Sequence, residues 1–239
     1  MHIILSPTKK MKYVDGQEMS KSKLIDKTTE ILKELQNKSY TELKDIWKCN
    51  DKLAEQNYQR IKNMFEQRPT PALFAYDGIV FKNIAPETLE KEEIDYLTDH
   101  LRILSGFYGV LKPLDGVVPY RLEMQAEISI ADKKNLYEYW ADTIYKELKA
   151  PIVNLASKEY TKVVEPYIQN GEMVTCSFYE IVSGKPVQKA TYSKMARGEM
   201  VRYLAENKVQ TVEEIKNFDR NGYIFNPETS TETEYNFYR

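Results

Sequence analysis

The stretch that most constrains the fold is residues 100–124, HLRILSGFYGVLKPLDGVVPYRLEM. Ile94, Leu97, Leu101 and Leu104 recur at spacings of three and four, the period of one apolar helical face, which predicts a helix entering this stretch. Gly106 stands at the natural stop, where a residue without Cβ can enter the left-handed region. Residues 107–111 read as a short extended run with a bend or close backbone approach at Gly109. Pro113 bars a simple helical continuation, and Asp115-Gly116 is turn chemistry. Tyr120, Leu122 and Met124 then alternate with Arg121 and Glu123, which predicts a strand with a charged pair on one side. Ser105, Tyr108, Lys112 and Arg121 thus lie in a segment apolar enough to be core. Polar groups there need partners, so they form a structural network or a site.

The rest of the chain alternates short apolar runs with capped helical patterns. Residues 2–5 and 152–155 read as short buried strands. Residues 20–67 read as three helices. The first carries Leu24, Thr28, Ile31 and Leu35 behind a cap at Ser20 or Ser22. The second follows Ser39 with Leu43, Ile46 and Trp47. The third follows Asn50 or Asp51, with Leu53, Ile61, Met64 and Phe65 turned inward and Asn57 among them. Asp77-Gly78 between the apolar runs 72–76 and 79–81 predicts a hairpin. Residues 126–130 read as a strand, and 135–148 as a helix burying Leu136, Tyr139, Trp140, Ile144 and Leu148. A second hairpin is expected around Ser183-Gly184, pairing residues 173–182 with 186–191. A helix capped by Ser193 follows to about residue 207, and residues 223–225 pair with 234–237. These patterns predict a mixed α/β fold, a short-stranded sheet system with surrounding helices. With no repeat and no clear linker, residues 1–239 are expected to form one domain or two intimately packed lobes.

A hydrophobic share of 42% supports a sizeable core, and a net charge of −2 makes any polyanion site a matter of local segregation. Cys49, Cys176, His2 and His100 show no ligand spacing, so neither a metal nor a cofactor is expected. Two cysteines, no secretion signal and no membrane span suit the reducing cytoplasm.

Candidate binding residues fall at element ends. Lys9 follows the first strand, in a loop that could present a hydroxyl and an ammonium; Lys10 and Lys12 beside it read as solvated. Asn154 and Ser157 end another strand, and free amides there could hold an anion. Lys194 and Arg197, three apart, share a helical face in a locally basic stretch: residues 185–208 hold six Lys/Arg and two Glu.

Several of these segments carry a resemblance. LSGFYGVLKPLD followed by PYRLEM, and Ser6-Pro7-Thr8-Lys9, are similar to motifs of the YaaA family of bacterial peroxide-stress proteins, with Thr8 departing from the family's alanine. Asp51-Lys52-Leu53-Ala54 with Asn57, Tyr137 with Trp140 and Asp142, Asn154-Leu155-Ala156-Ser157 with Glu159-Tyr160, and Lys194 with Ala196-Arg197-Gly198 also match in order. The resemblance implies a cytosolic protein that aids survival of hydrogen peroxide by limiting free iron and iron-dependent DNA damage. It also implies an unusual α/β fold that binds duplex DNA through a helix-hairpin-helix-like element. Gly106 to Gly109 would be that bend, offering N–H groups to phosphates. Here two residues separate the glycines and Pro113 interrupts the segment after them, a departure from the usual Gly-apolar-Gly hairpin and its second helix.

Three readings result. One is a protein that binds duplex DNA with little sequence specificity, using Lys9, the basic stretch 185–208 and stacking tyrosines. Another is an enzyme acting on a phosphorylated or nucleotide-like small molecule. Lys9, Arg121, Lys194 and Arg197 would clamp the anion, with Glu123, Tyr108 or Ser157 moving protons. In the third, Arg121–Glu123 and Lys194–Glu199 close structural ion pairs. For the two binding readings, Lys9, Arg121, Lys194 and Arg197 are expected to line one cleft with Ser105, Tyr108, Asn154 and Ser157, beside the Gly106–Gly109 bend. Under the first reading, titration of a labelled duplex should show binding that weakens steeply as salt rises, because phosphate contacts release counterions; no binding at low salt would reject it.

Overall fold

The computed structural model describes residues 1–16 and 18–239. The first strand, β1 (His2–Leu5), is followed by three helices, α1 (Ile25–Asn37), α2 (Tyr40–Trp47) and α3 (Asp51–Lys62). Ser39 and Glu42 close a reciprocal capping box on α2, and Asn50 accepts the Leu53 amide at 3.0 Å on α3. The α1 cap differs from expectation: the helix starts at Ile25 with no side-chain cap, because Ser20 donates instead to Asp115 at 2.7 Å. On α3 it is Ala54, Asn57 and Ile61 that face inward, whereas Leu53 is exposed. The side chain of Phe65, expected inward, lies outside the described residues.

Next come β2 (Thr70–Pro71), α4 (Ala72–Ala75), α5 (Ile79–Ile84), α6 (Lys91–His100), β3 (Leu101–Ser105), β4 (Gly109–Leu111) and β5 (Gly116–Val117). The C-terminal half holds α7 (Leu136–Trp140), β6 (Ile152–Asn154), α8 (Lys158–Thr161), β7 (Met173–Val182), β8 (Lys185–Val187), α9 (Ala190–Glu206), β9 (Ile224–Phe225) and β10 (Glu234–Tyr238). Among the described residues, eight strands form a mostly parallel sheet in the order β4-β3-β1-β6-β7-β10-β9, with β8 paired to β7; β2 and β5 form a separate pair. The fold is thus mixed α/β. β1 pairs in parallel with β3 through Ile3↔Leu101 and with β6 through Ile3↔Val153. All four of its residues are buried, as expected of a parallel strand covered on both faces.

The structure corrects several local expectations. Leu101 and Leu104 are not on a helix. The chain leaves α6 at His100 and continues directly as β3, because pairing with β1 outweighs a short three-and-four apolar spacing. Arg102 seals the junction by donating to the carbonyl oxygens of Thr98 (3.1 Å), Asp99 (3.1 Å) and Leu101 (2.7 Å), a cation on a helix C-terminus. Gly106 does not take positive φ; Gly109 does, at 75°. A Cβ on Gly106 would stand 2.8 Å from the Leu122 carbonyl oxygen, so its role is close backbone approach. Asp77-Gly78 joins two short helices, α4 and α5, rather than two strands. Short apolar runs do not distinguish buried helix from strand. Residues 120–124 and 126–130 keep alternating burial but pair in no ladder beyond one isolated bridge at Ile130. The helix expected over 135–148 stops at Trp140, where Ala141 takes φ 42°, and resumes as a single tight turn. The hairpins β7–β8 and β9–β10 form, but the second arm of the first, expected over 186–191, ends at Val187 because α9 begins at Ala190. Ser193 lies inside α9, which starts at Ala190, so Lys194 and Arg197 sit beyond its first turn.

The α5–α9 contact sets the position of the site. Gly198 lies so close to α5 that a Cβ there would stand 2.2 Å from the Val80 carbonyl oxygen and 2.7 Å from Asn83 Cβ. Four residues on, Arg202 donates to the Ile84 carbonyl at 3.0 Å and to Thr88 Oγ1 at 2.7 Å. Gly198→Ala is therefore expected to destabilise the protein by roughly 1–3 kcal/mol through overpacking against backbone. Denaturant unfolding should show the midpoint falling at unchanged slope.

Candidate functional site

The sheet order creates a crevice. From β1 the chain crosses to β3 on one side, and from β6 it crosses to β7 on the other, so the connections after two adjacent parallel strands diverge. In open α/β sheets such a point, beyond the carboxyl ends of the strands, is where ligands bind. Here the two diverging loops are clasped: the Ser157 amide donates to Ser6 Oγ at 2.8 Å, and the two hydroxyls lie 3.1 Å apart. Asn154 secures the β6 end. Its Nδ2 donates to Thr175 Oγ1 at 3.1 Å, and its Oδ1 accepts from the Ala156 amide at 3.0 Å and Thr161 Oγ1 at 3.1 Å.

A cavity of about 460 Å³ opens above this clasp. Five segments line it: residues 5–10, 77–80, 120–123, the start of α8, and Lys194 with Arg197 of α9. Lys9, Arg121, Ser157, Lys194 and Arg197, distant in sequence, meet there. Ser105, Gly106, Tyr108, Gly109 and Asn154 do not line it. Residues 101–110 are all buried, and the Phe107 and Tyr108 amides are consumed by Ser105 Oγ at 3.1 and 3.0 Å. The bend therefore cannot offer those groups to phosphates, and strands β3 and β4 rather than helices flank it. Ser105 also bonds the Tyr120 hydroxyl at 2.7 Å, and Tyr120 bonds Tyr76 at 2.9 Å. Tyr108 accepts the Val118 amide at 3.2 Å. This buried hydroxyl chain holds Tyr120 in the cavity wall.

The cations differ in how they are compensated. Glu123 joins Lys9 at 2.8 Å and Arg121 at 3.3 Å, and Arg121 also donates to the Trp47 carbonyl at 3.3 Å. Asp77 pairs with Lys10 at 2.5 Å, a contact that pulls its pKa down, and Lys12 pairs with Glu87. Lys10 is thus paired as well as exposed, and Lys12 is paired and half-buried. The Lys194–Glu199 pair does not form; Glu199 faces Arg220 at 3.9 Å. Among the described residues no carboxylate lies within 4 Å of Lys194 or Arg197. Arg197 is half-buried with its Nε buried and unbonded, and burial lowers its pKa.

Glu159, half-buried in the same wall, was missed as a site residue. Its pKa is raised by burial and further by Glu123, against the lowering influence of the Gln125 amide, which it accepts at 3.3 Å. Its signal in the sequence was its place two residues after Ser157, which brings it to the start of α8. Ser6 and Tyr160 also line the cavity, and burial raises the Tyr160 pKa well above its ordinary value, keeping the phenol neutral. Cys176, buried near Arg197, is pushed up to about 12 and is a packing residue rather than a thiolate. Among the described residues, no group of three or more His, Cys, Asp or Glu could hold a metal ion, and no helix is long and apolar enough to cross a membrane. Chemically, the cavity offers guanidinium and ammonium groups to an oxyanion, hydroxyls at the strand ends, and a carboxyl able to exchange a proton.

Fold and cavity define an α/β protein with a cationic cleft at a sheet switch point. Comparison with known proteins is consistent across the chain: the family described as "Peroxide stress protein YaaA" matches residues 1–229, and the chain belongs to that family. A UPF0246 protein of Agathobacter rectalis is 53% identical, covering 100% of this chain and 99% of that one. UPF0246 proteins of Lachnoclostridium phytofermentans (48%; 98% and 94% covered) and Ligilactobacillus salivarius (46%; 98% and 98%) are similar over the same span.

The position of Glu159 yields a pH test. A carboxyl whose folded pKa exceeds its unfolded value costs nothing below the unfolded pKa and becomes destabilising as pH rises through the folded one. Glu159→Gln is therefore expected to raise the melting temperature relative to the parent at pH 7. The gain should shrink on acidification toward about 4.5, the ordinary glutamate value. A gain independent of pH, or none at pH 7, would contradict the desolvated carboxyl.

Proposed function

We propose that the cavity binds a phosphorylated, nucleotide-like small molecule, and that the protein uses this site in the peroxide-stress response of the cytosol. The observation that carries the reading is Arg197, a half-buried guanidinium with an unbonded Nε, facing a cavity and lacking a carboxylate among the described residues. Desolvating a cation without a partner is costly, and an oxyanion bound by its planar fork offsets that cost. Lys194 adds a second uncompensated charge on the same wall, and 460 Å³ falls within the range of small-ligand pockets, roughly 300–1,000 Å³.

Duplex DNA is less well supported. The exposed lysines at the cavity mouth, Lys9 and Lys10, are already paired with Glu123 and Asp77, and the Gly106–Gly109 bend is buried. Protection of DNA from iron-dependent damage, which family membership suggests as the physiological setting, then operates through the small-molecule site.

Calorimetric titration with AMP tests the reading. Arg197→Ala is expected to weaken binding by one to two decades, the equivalent of about 1.5–3 kcal/mol for a charge-assisted contact, and Lys10→Ala by much less. Equal affinity in both folded variants would reject the site. A labelled duplex that binds tightly and resists displacement by saturating AMP would transfer the function to a polyanion surface.

A further inference from the structure

The cavity wall carries two charged poles that form no ion pair with each other among the described residues. At one, Arg197 and Lys194 carry positive charge with no carboxylate within 4 Å among the described residues. At the other, Glu159 is a half-buried carboxyl whose described side-chain partner is a backbone amide, that of Gln125 at 3.3 Å. Glu123 beside it is already engaged by Lys9 and Arg121. An inorganic oxyanion would satisfy Arg197 and leave Glu159 facing added negative charge. A ligand that relieves both poles needs an anionic group at one end and N–H donors at the other. Tyr120, Tyr160, Leu122 and Leu155 line the cavity with these poles and suit a flat, largely apolar ring.

Resting on the phosphate-binding reading above, we infer that the cavity selects nucleoside monophosphates whose base carries an exocyclic amino group. Arg197 takes the phosphate, and Glu159 accepts the amino N–H groups. Glu159 is thus a specificity-determining residue. The raised pKa of Glu159 is consistent with this arrangement, since a donor replacing water at the carboxyl lowers the cost of its charge. A pocket carboxylate that hydrogen-bonds a ligand amino group disfavours the analogue lacking it, because the acceptor is then left buried and unpaired.

Paired titrations test this. GMP and IMP share phosphate and ribose and differ only by the 2-amino group, whereas CMP and UMP also share phosphate and ribose but exchange a 4-amino group for an oxo group and an N3 lone pair for N3–H. The parent protein is expected to bind CMP and GMP about tenfold more tightly than their partners. Glu159→Gln should abolish that preference while retaining UMP binding, which also shows that the variant is folded, because glutamine can still accept the Gln125 amide. Arg197→Ala should weaken all four ligands alike. Equal parent affinities within each pair, or a preference that survives Glu159→Gln, would overturn the inference while leaving the phosphate site standing. Failure of all four to bind the parent would overturn both.

Discussion

Parallel pairing of β1 on both sides is the constraint on which the rest of this structure depends. A strand flanked by β3 and β6 must send its connections apart from those of its neighbour, and the crevice at its end results from that topology. The serine clasp between Ser6 and Ser157 then fixes how widely the two loops open. Burial of β1 on both faces also explains its sequence: His-Ile-Ile-Leu lacks the polar alternation of a half-exposed strand.

The second determinant is the approach of α9 to α5. A glycine at 198 permits backbone contact, and its neighbour Arg197 is carried into a partly dry environment as a consequence. Packing and charge are coupled here. Tight helix packing, usually a source of stability, places a guanidinium where water solvates it poorly, and the cavity supplies the direction from which a partner can come. By contrast, Arg102 and Arg202 reach helix-end carbonyls and need no ligand.

Much of this was legible in the sequence. Capped helices α2 and α3, the strands at 2–5 and 152–154, and both C-terminal hairpins arise from caps, apolar runs and turn residues that act locally. The errors share a cause. Leu101 and Leu104 fit a helical period, yet pairing with a strand nearly a hundred residues earlier decides their state, and no window of sequence contains that information. The convergence of Lys9, Arg121, Lys194 and Arg197 was legible from separate signals: Lys9 follows a buried strand, Arg121 lies on the polar side of an alternating segment, and Lys194 and Arg197, three apart, share a helical face. Ser105 and Tyr108 were misplaced because a hydroxyl in an apolar run reads the same whether it serves a ligand or a neighbouring tyrosine. Glu159 gave no local sign of burial; its environment comes from the 120–125 segment folding over it.

The same strand order has a temporal side. β1 leaves the ribosome before either of its partners, and Ile3 pairs with Leu101 and Val153, so this apolar strand waits with both edges unpaired until β3 and β6 have been made. Contacts so distant in sequence slow folding and leave strand edges open to wrong pairing in the meantime. The lysines after β1, at 9, 10 and 12, place positive charge close to that waiting strand, the kind of flanking charge that discourages association between nascent chains.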